Sequence, residues 1–480
     1  MQGPKLLILL CCMLSMYNAS AFGNETSITE LSASPSEAQT LSPSLNPSLS
    51  PSLSPSLNPS LSPSLSPSLN PSLSPSLSPS LSPSLSPSMN PSMNPSMNPS
   101  LSPTKPPSKP KYNVVCVYGQ SLAVGLHSIP ALTTSVKYRN NKSLLGGPLS
   151  RGGRLTEFRE RRVETPVGGA LEYISERITT SISTSASNEN RLIGVAPGKS
   201  NESINRLSKG HIFNRFFMRS IRNIVRNTGV YPLVEVPAVF WIQGERDRKR
   251  SYTFYYKAMK RLQVNLERGV QRVTKQKSAV HLLTYQTAFY SRDGSNQVLF
   301  AQLDASKDSN KIHMVTPIYH LPTVPDLIHL TNIGSKLLGK YMGRAYYQMF
   351  VDKRDTPDSI IPLNITKVDS NTIRVHFKVP QIPLVLDVST GHAPYPDYGF
   401  AVEGYTITNV QVSDSGTDIL VTVDRSLEYS YMVSYAIFFG NPRIYAGAGG
   451  NLRDSTPEMV LIRNEQYPLY HMAPHFILKS

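Results

Sequence analysis

Three short stretches of the 480-residue sequence combine residue types and spacings that could do chemistry. In Tyr118-Gly119-Gln120-Ser121, a glycine ahead of a tight strand-to-helix turn would let the serine present its hydroxyl, with its own backbone N–H turned into the same site. The stretch departs from a G-x-S-x-G elbow, because Ala123 stands where the second glycine belongs and Gly125 comes later. Taken alone, the feature is better explained as an ordinary helix cap by Ser121. In Phe240-Trp241-Ile242-Gln243-Gly244-Glu245-Arg246-Asp247, which holds the only tryptophan, Gln243 could aim a side-chain N–H at a developing oxyanion. Such a donor is worth roughly 10²–10³ in rate where one has been removed. A polar strand end solvating an acidic turn accounts for the same residues. In Asp326-Leu327-Ile328-His329-Leu330-Thr331, an aspartate upstream of a histidine on one turn can hold the imidazole by Nδ1. Nε2 is then free to act as a general base. Taken alone, the Asp-x-x-His pattern is common.

The elements that must position these residues follow from hydrophobic patterning. Short apolar, β-rich runs at Tyr112–Tyr118, Leu192–Ala196, Val236–Ile242, Ala279–Thr284 and Ile312–Thr316 read as strands. Between and after them, Ala170–Ser183, Ser203–Asn227, Tyr252–Lys275 and Asn332–Phe350 read as helices. Strand and helix alternating at this spacing predict a parallel sheet covered on both faces, an α/β/α arrangement. Working residues in such sheets sit in loops just past the strand C-termini. Ser121 follows the first strand, Gln243 the third, and Asp326 and His329 the fifth, so all would gather at one edge of one sheet.

On the residues Gly119-Gln120-Ser121, Trp241-Ile242-Gln243-Gly244-Glu245 and Asp326-Leu327-Ile328-His329-Leu330, the sequence resembles the SGNH-hydrolase superfamily. Within it, the likeness is to the sialate O-acetylesterase-like carbohydrate esterases, over about residues 112–350. The resemblance implies a three-layer α/β/α domain with Ser121 as nucleophile, His329 as general base and Asp326 as its orienter. It also implies an oxyanion hole built from the Ser121 backbone N–H, the Gln243 side chain and a backbone N–H of the block Ala196–Ile204. The family carries a Gly-rich turn running into Ser-Ile there. Asn201 stands where a glycine is expected and Gly198 is close by, so the third donor is Asn201 or Gly198. Asparagine tolerates left-handed backbone better than most residues. Leu122 replaces an asparagine of many relatives, and Thr165-Pro166 with Gly168-Gly169 resembles a loop lining the pocket. Gln120, Gly244 and Glu245 would bind substrate or support the site. Glu245 and Asp247 are equally readable as anchors for Arg246 or Arg248. The implied reaction proceeds through an acetyl-enzyme on Ser121 without metal or organic cofactor, and the Cys and His give no zinc spacing.

Residues 353–480 change character. Strand-like runs at Thr372–Val379, Leu384–Val388, Gly399–Val402, Tyr405–Val412, Ile419–Val423 and Tyr431–Phe439 are broken by Pro, Gly, Asp and Ser, which predicts a β-sandwich-like accessory domain. Similar modules accompany some esterases of this branch, implying carbohydrate contact or packing on the catalytic domain. The Tyr395–Tyr398 loop could face a sugar, although an aromatic in a strand corner more often fills a core.

The remaining chain speaks of delivery. Residues 1–21 carry one lysine, the apolar run Leu6–Leu14 and small residues up to Ala21, the layout of a secretory signal peptide. That run is too short to span a bilayer, for which about 20 apolar residues are needed. No later segment reads as a transmembrane anchor, so secretion is expected. Residues 22–110 contain a Pro at every fourth position from Pro43 to Pro103, sixteen of the 40 prolines, in a Ser-rich repeat with almost no charge. It cannot bury a core and reads as a disordered stalk, reaching on the order of 190 Å if extended as polyproline II. Cleavage after Ala21 would leave Cys116 as the lone thiol, inside the apolar run Val114–Tyr118 and therefore expected to be buried. Asn24, Asn141, Asn201 and Asn364 lie in N-x-S/T sequons. A net charge of +16, with basic clusters at Arg151–Arg162 and Arg246–Arg250, fits anionic glycans or surface polymers better than nucleic acid, for which no module is present. The expected function is thus a secreted serine esterase acting on acetylated sialic acid or polysaccharide. The alternative is a glycan-binding or structural protein that keeps the fold without catalysis.

Overall fold

Strand β1 (Lys111–Gly119) lies at the centre of a seven-stranded sheet in the computed structural model, which describes residues 111–181, 190–228, 234–288, 297–389, 394–437 and 449–480. The expected signal segment and Ser/Pro stalk lie outside the described residues. The other strands of the sheet are β2 (Lys142–Leu144), β3 (Leu155–Glu157), β4 (Asn190–Val195), β5 (Val234–Ile242), β6 (His281–Gln286) and β7 (Ile312–Pro317), in the order β3-β2-β4-β1-β5-β6-β7. All neighbours run parallel except the edge pair β2–β3. The expected strands are present. The two unexpected ones, β2 and β3, are too short to leave an apolar run in the sequence.

Helices α1 (Pro166–Ser181), α2 (Ile204–Leu207), α3 (Ile212–Thr228), α4 (Tyr252–Thr274), α5 (Gln297–Lys307) and α6 (Asn332–Phe350) connect or cover these strands. Successive side chains of a strand point to opposite faces, and β1 shows the consequence. Val115 and Val117 enter a core shared with α1 and α6, whereas Val114, Cys116 and Tyr118 enter a second core with α3 and α4. Cys116 is the buried thiol the sequence predicts, and burial pushes its pKa far up. The single helix expected over Ser203–Asn227 is instead α2 and α3, separated at Gly210 by a left-handed residue (φ 97°). Helix α5 was not expected, because Val298, Leu299, Ala301, Gln302, Leu303 and Ala305 are buried and leave no polar face to set a period. No helix among the described residues is long and apolar enough to cross a membrane.

The glycines near the start of α1 do other work than the expected pocket lining. A Cβ on Gly169 would lie 2.1 Å from the Lys336 carbonyl oxygen, and one on Gly339 would lie 2.1 Å from that of Pro166. Gly169 and Gly339 therefore let α1 and α6 approach each other closely, whereas a Cβ on Gly168 would meet Glu164 Oε1 (2.5 Å) and Thr133 Oγ1 (2.8 Å).

Beyond α6 the chain forms a β-sandwich. Strands β8 (Ile361–Lys367), β9 (Thr372–Lys378), β10 (Val385–Leu386), β11 (Phe400–Val402), β12 (Ile407–Val412), β13 (Asp418–Val423), β14 (Met432–Tyr435), β15 (Leu452–Arg453), β16 (Met459–Ile462), β17 (Glu465–Pro468) and β18 (Phe476–Lys479) follow in order. The antiparallel sheets β12-β13-β9-β8 and β11-β14-β18 share one core, in which the Phe377 and Phe476 rings meet at 5.7 Å. The hairpin β16–β17 leaves this core, and Val460, Ile462 and Leu469 pack into the α1/α6 core of the first domain. Buried Arg344 joins Glu458 (3.2 Å) and the Leu469 carbonyl, and Gln286 exchanges hydrogen bonds with the His475 backbone. The accessory module is therefore anchored to the α/β domain. Of the Tyr395–Tyr398 loop, the Tyr395 ring abuts Gly449 rather than standing free.

Candidate functional site

The strand order reverses about β1: after β4 on one side the chain crosses to β5 on the other. Such a reversal opens a crevice at the strand C-termini, and the three candidate stretches lie at that edge.

The first is set by Gly119. A Cβ there would fall 1.8 Å from the Ile242 carbonyl oxygen, so only glycine lets the end of β1 lie this close to β5. The Gln120 N–H donates to that same carbonyl (2.9 Å), and Gln120 Oε1 accepts from the N–H groups of Arg246 (3.1 Å) and Gly244 (3.5 Å). Gln120 thus clamps the two loops together. Ser121 opens the single turn Leu122–Val124 with helical angles (φ −56°, ψ −44°), and its side chain makes no capping hydrogen bond. The ordinary-cap explanation consequently fails. Ser121 is 5% exposed, and neither its hydroxyl nor its N–H is used by another described residue.

The block after β4 wraps this turn. The Lys199 N–H donates to the Gly119 carbonyl (3.0 Å), and a Cβ on buried Gly198 would lie 2.6 Å from the same oxygen. Asn201 adopts left-handed angles (φ 58°), as its type allows, but it is exposed on the flank of the turn. Of the two alternatives, Gly198 is the one seated against the serine turn, and its N–H donates to no other described residue.

Gln243, expected to donate to an oxyanion, is placed differently. Its side chain is fully buried, and both Nε2 hydrogens are engaged, by Asp247 Oδ2 (2.7 Å) and the Glu202 carbonyl (3.2 Å). Its Oε1 lies 2.7 Å from the Tyr255 hydroxyl. The amide is a strut between the β4 and β5 loops, with no N–H left for substrate. Replacing Gln243 by leucine would leave the Asp247 carboxylate buried with fewer donors, at a cost of roughly 2–4 kcal/mol. The expected result is a clear fall in melting temperature with kcat of the folded variant lowered less than tenfold. An unchanged melting temperature with kcat down by 10²–10³ would restore the donor role.

Glu245 is held by neutral hydroxyls, and Asp247 by neutral donors together with Arg250 at the edge of ion-pair distance. Glu245 accepts from the Tyr285 hydroxyl (2.6 and 2.7 Å) and Thr287 Oγ1 (2.9 Å), and Arg248 reaches only its carbonyl. Burial pushes its carboxyl up, against the pull of those hydroxyls and of His329 nearby. Asp247 is likewise raised by burial, opposed by the Ile204 N–H (2.6 Å) and Gln243; Arg250 stands 3.8 Å away. Tyr285, Thr287 and Tyr255 carried no sequence signal, because a hydroxyl at a strand end or on a helix looks like any core aromatic or threonine.

The third stretch is a closed loop. Val324 N–H donates to the His329 carbonyl (2.8 Å), Thr331 N–H to that of Pro322 (3.0 Å), and Leu327 takes a left-handed turn (φ 58°). Within it, Asp326 Oδ2 holds His329 Nδ1 at 2.6 Å, and Oδ1 accepts from the N–H groups of Ile328 (2.9 Å) and His329 (2.8 Å). Against the cost of partial burial, those bonds keep the Asp326 carboxyl below its ordinary value. The loop is tied to the serine turn: Ser128 Oγ donates to the Leu330 carbonyl (3.0 Å), and the His127 ring meets the His329 ring edge-on at 4.8 Å. No hydrogen bond joins Ser121 Oγ to His329 in this state; such contacts often tighten only with substrate bound. His127 is a neighbour the sequence did not reveal, since nothing local marks it. With Asp326 and His329 it is also the group among the described residues able to hold a metal ion.

The family model described as "carbohydrate esterase, sialic acid-specific acetylesterase" matches residues 175–348, a span that includes Gln243, Asp326 and His329 and begins after Ser121. Among solved structures, a protein of Arabidopsis thaliana is similar at 17% identity, covering 50% of this chain and 100% of its own with a TM-score of 0.38. A carbohydrate acetylesterase from Xanthomonas citri is similar at 13% identity, with 76% of this chain and 80% of its own covered and a TM-score of 0.47. A carbohydrate acetylesterase from Sinorhizobium meliloti reaches 10% identity over 50% of this chain and 100% of its own, with a TM-score of 0.31. No curated protein matches the chain significantly.

Proposed function

We propose that this protein is a secreted serine esterase that removes O-acetyl groups from carbohydrate through an acetyl-enzyme, a reading supported by the match of residues 175–348 to the model for sialic acid-specific acetylesterases among the carbohydrate esterases. The observation that carries the mechanism is the Asp326–His329 pair at 2.6 Å on a loop fastened to a serine whose hydroxyl has no structural task.

In the proposed reaction, Ser121 Oγ attacks the acetyl carbonyl carbon while its proton passes to His329 Nε2. Asp326 holds the ring by Nδ1 and stabilises the imidazolium that forms. The Ser121 and Gly198 N–H groups would receive the oxyanion. The bond to the sugar oxygen breaks, and His329 returns the proton to that oxygen. Water, deprotonated by the same nitrogen, then releases acetate and restores Ser121. A cavity of about 420 Å³ lies against Pro322 and Thr323 at the base of the His329 loop, lined also by Tyr341, Tyr467 and Tyr470. Secretion rests on the N-terminal apolar segment, and the net charge of +16 favours an anionic glycan. Asn141 is buried against Ser175 (2.9 Å) and is a poor acceptor for a glycan in the folded chain, whereas Asn201 and Asn364 are exposed.

The test is acetate release from a panel of O-acetylated sialic acids and polysaccharides, using protein recovered from the medium of expressing cells. The expected outcome is a chain beginning at Phe22 that frees acetate and leaves the glycan backbone intact. Hydrolysis of p-nitrophenyl acetate but of no glycan would remove the carbohydrate assignment. Hydrolysis of neither would favour the non-catalytic glycan-binding alternative.

A further inference from the structure

We propose that His127, Asp326 and His329 form a binding site for a divalent transition-metal ion of the zinc type, and that the bound ion silences the esterase. Inhibition, but not binding, rests on the function proposed above. The site joins two loops remote in sequence, the turn after β1 and the loop before α6. Each residue offers one ligand atom, and these atoms all lie within 4.8 Å of one another. Two imidazoles and a carboxylate are ligands that zinc takes at about 2.0–2.2 Å, and three protein ligands leave a coordination position for water. Ligand atoms around such an ion stand closer together than 4.8 Å, so the site must tighten slightly. His127 and Leu327, the latter 54% exposed, lie on the solvent side of their loops and have room to yield.

The surroundings favour an ion. Asp326 Oδ1 is fixed by two backbone N–H groups, which orients the carboxylate and leaves Oδ2, held now only by His329 Nδ1 at 2.6 Å, to turn to an ion. Hydrogen bonds to a ligating carboxylate of this kind are the usual support of a metal site. The Ser128–Leu330 bond holds the two loops in register. Whichever nitrogen of His329 takes the ion, catalysis stops. Coordination through Nε2 occupies the lone pair that accepts the Ser121 proton; coordination through Nδ1 displaces the hydrogen bond to Asp326 and releases its proton.

The experiment uses the full chain, without a polyhistidine tag and freed of metal by chelator, titrated calorimetrically with Zn²⁺ alone. The expected result is one equivalent bound, with affinity at least tenfold weaker in His127→Ala and unchanged in Ser121→Ala. In parallel, Zn²⁺ should suppress p-nitrophenyl acetate hydrolysis by wild type, and added chelator should restore it. The rate of His127→Ala, whatever its metal-free level, should resist the ion. Equal binding by wild type and His127→Ala, or no saturable binding, overturns the site. Binding with no loss of rate overturns the inhibition. Binding by a chain that hydrolyses nothing even without metal leaves the site standing and removes the esterase reading instead.

Discussion

Exchanging Ser121 for alanine lowers kcat/KM toward p-nitrophenyl acetate and acetylated glycans by roughly 10⁴–10⁶, the range seen when a serine nucleophile is removed, while the melting temperature stays within a few degrees of wild type. Both halves follow from the same facts. The hydroxyl caps no helix and hydrogen-bonds to no other described residue, so its loss breaks no bond that the fold uses. The turn around it is held by backbone groups instead. The Ser121 carbonyl accepts from Leu126 (3.0 Å) and Val124 (3.2 Å), and Gln120 clamps the β5 loop. None of these involves Oγ. The measurement pairs initial rates with calorimetric melting on the two proteins. Equal rates would end the enzyme reading outright. A large fall in melting temperature would mean that the hydroxyl is a structural group after all. A residual rate above that of buffer is expected, because the N–H groups of Ser121 and Gly198 remain.

How much of this was legible in the sequence depends on whether a feature is local. The hub strand β1 announces itself as an unbroken apolar run, and its two-faced burial is what a central parallel strand requires. Asp326 and His329 are equally local: three positions apart, they need only one turn to meet, and they do. Gln243 was legible as important but not in its role. Its type permits donation to a substrate or to a buried carboxylate, and Asp247, four residues on, takes the N–H. That choice depends on where Ile204 and Glu202 arrive from β4, which no local pattern encodes. That Gly198 rather than Asn201 lies against the serine turn follows from the close approach of two backbones, not from residue type. His127 was invisible because its partners lie 200 residues away in the chain and become neighbours only when the β7–α6 loop folds back over β1. The long-range hairpin β16–β17 was missed for the same reason: it completes another domain's core.

Gly119→Ala is expected to be the most damaging single methyl group that can be added to the site. The new Cβ would stand 1.8 Å from the Ile242 carbonyl oxygen and 2.5 Å from its carbon, and both are backbone atoms of a buried central strand. Neither can rotate away. Relief requires parting β1 from β5, and that motion strains the Gln120 N–H bond to Ile242 and the Lys199 N–H bond to Gly119. Overpacking with backbone displacement of this kind costs about 3–5 kcal/mol, or a fall of roughly 6–15 °C in melting temperature. The catalytic loss should exceed even this. Moving Ser121 by about 1 Å relative to His329 is enough to cost on the order of 10² in kcat. Gly210→Ala separates the clash from the general cost of replacing a left-handed glycine. Gly210 also has a positive φ (97°), but nothing lies within 4 Å of its added Cβ. That control should lose only about 1 kcal/mol of stability and essentially no rate. Should Gly119→Ala behave like Gly210→Ala in both melting temperature and kcat, the close crossing of β1 and β5 is not what holds the serine in place.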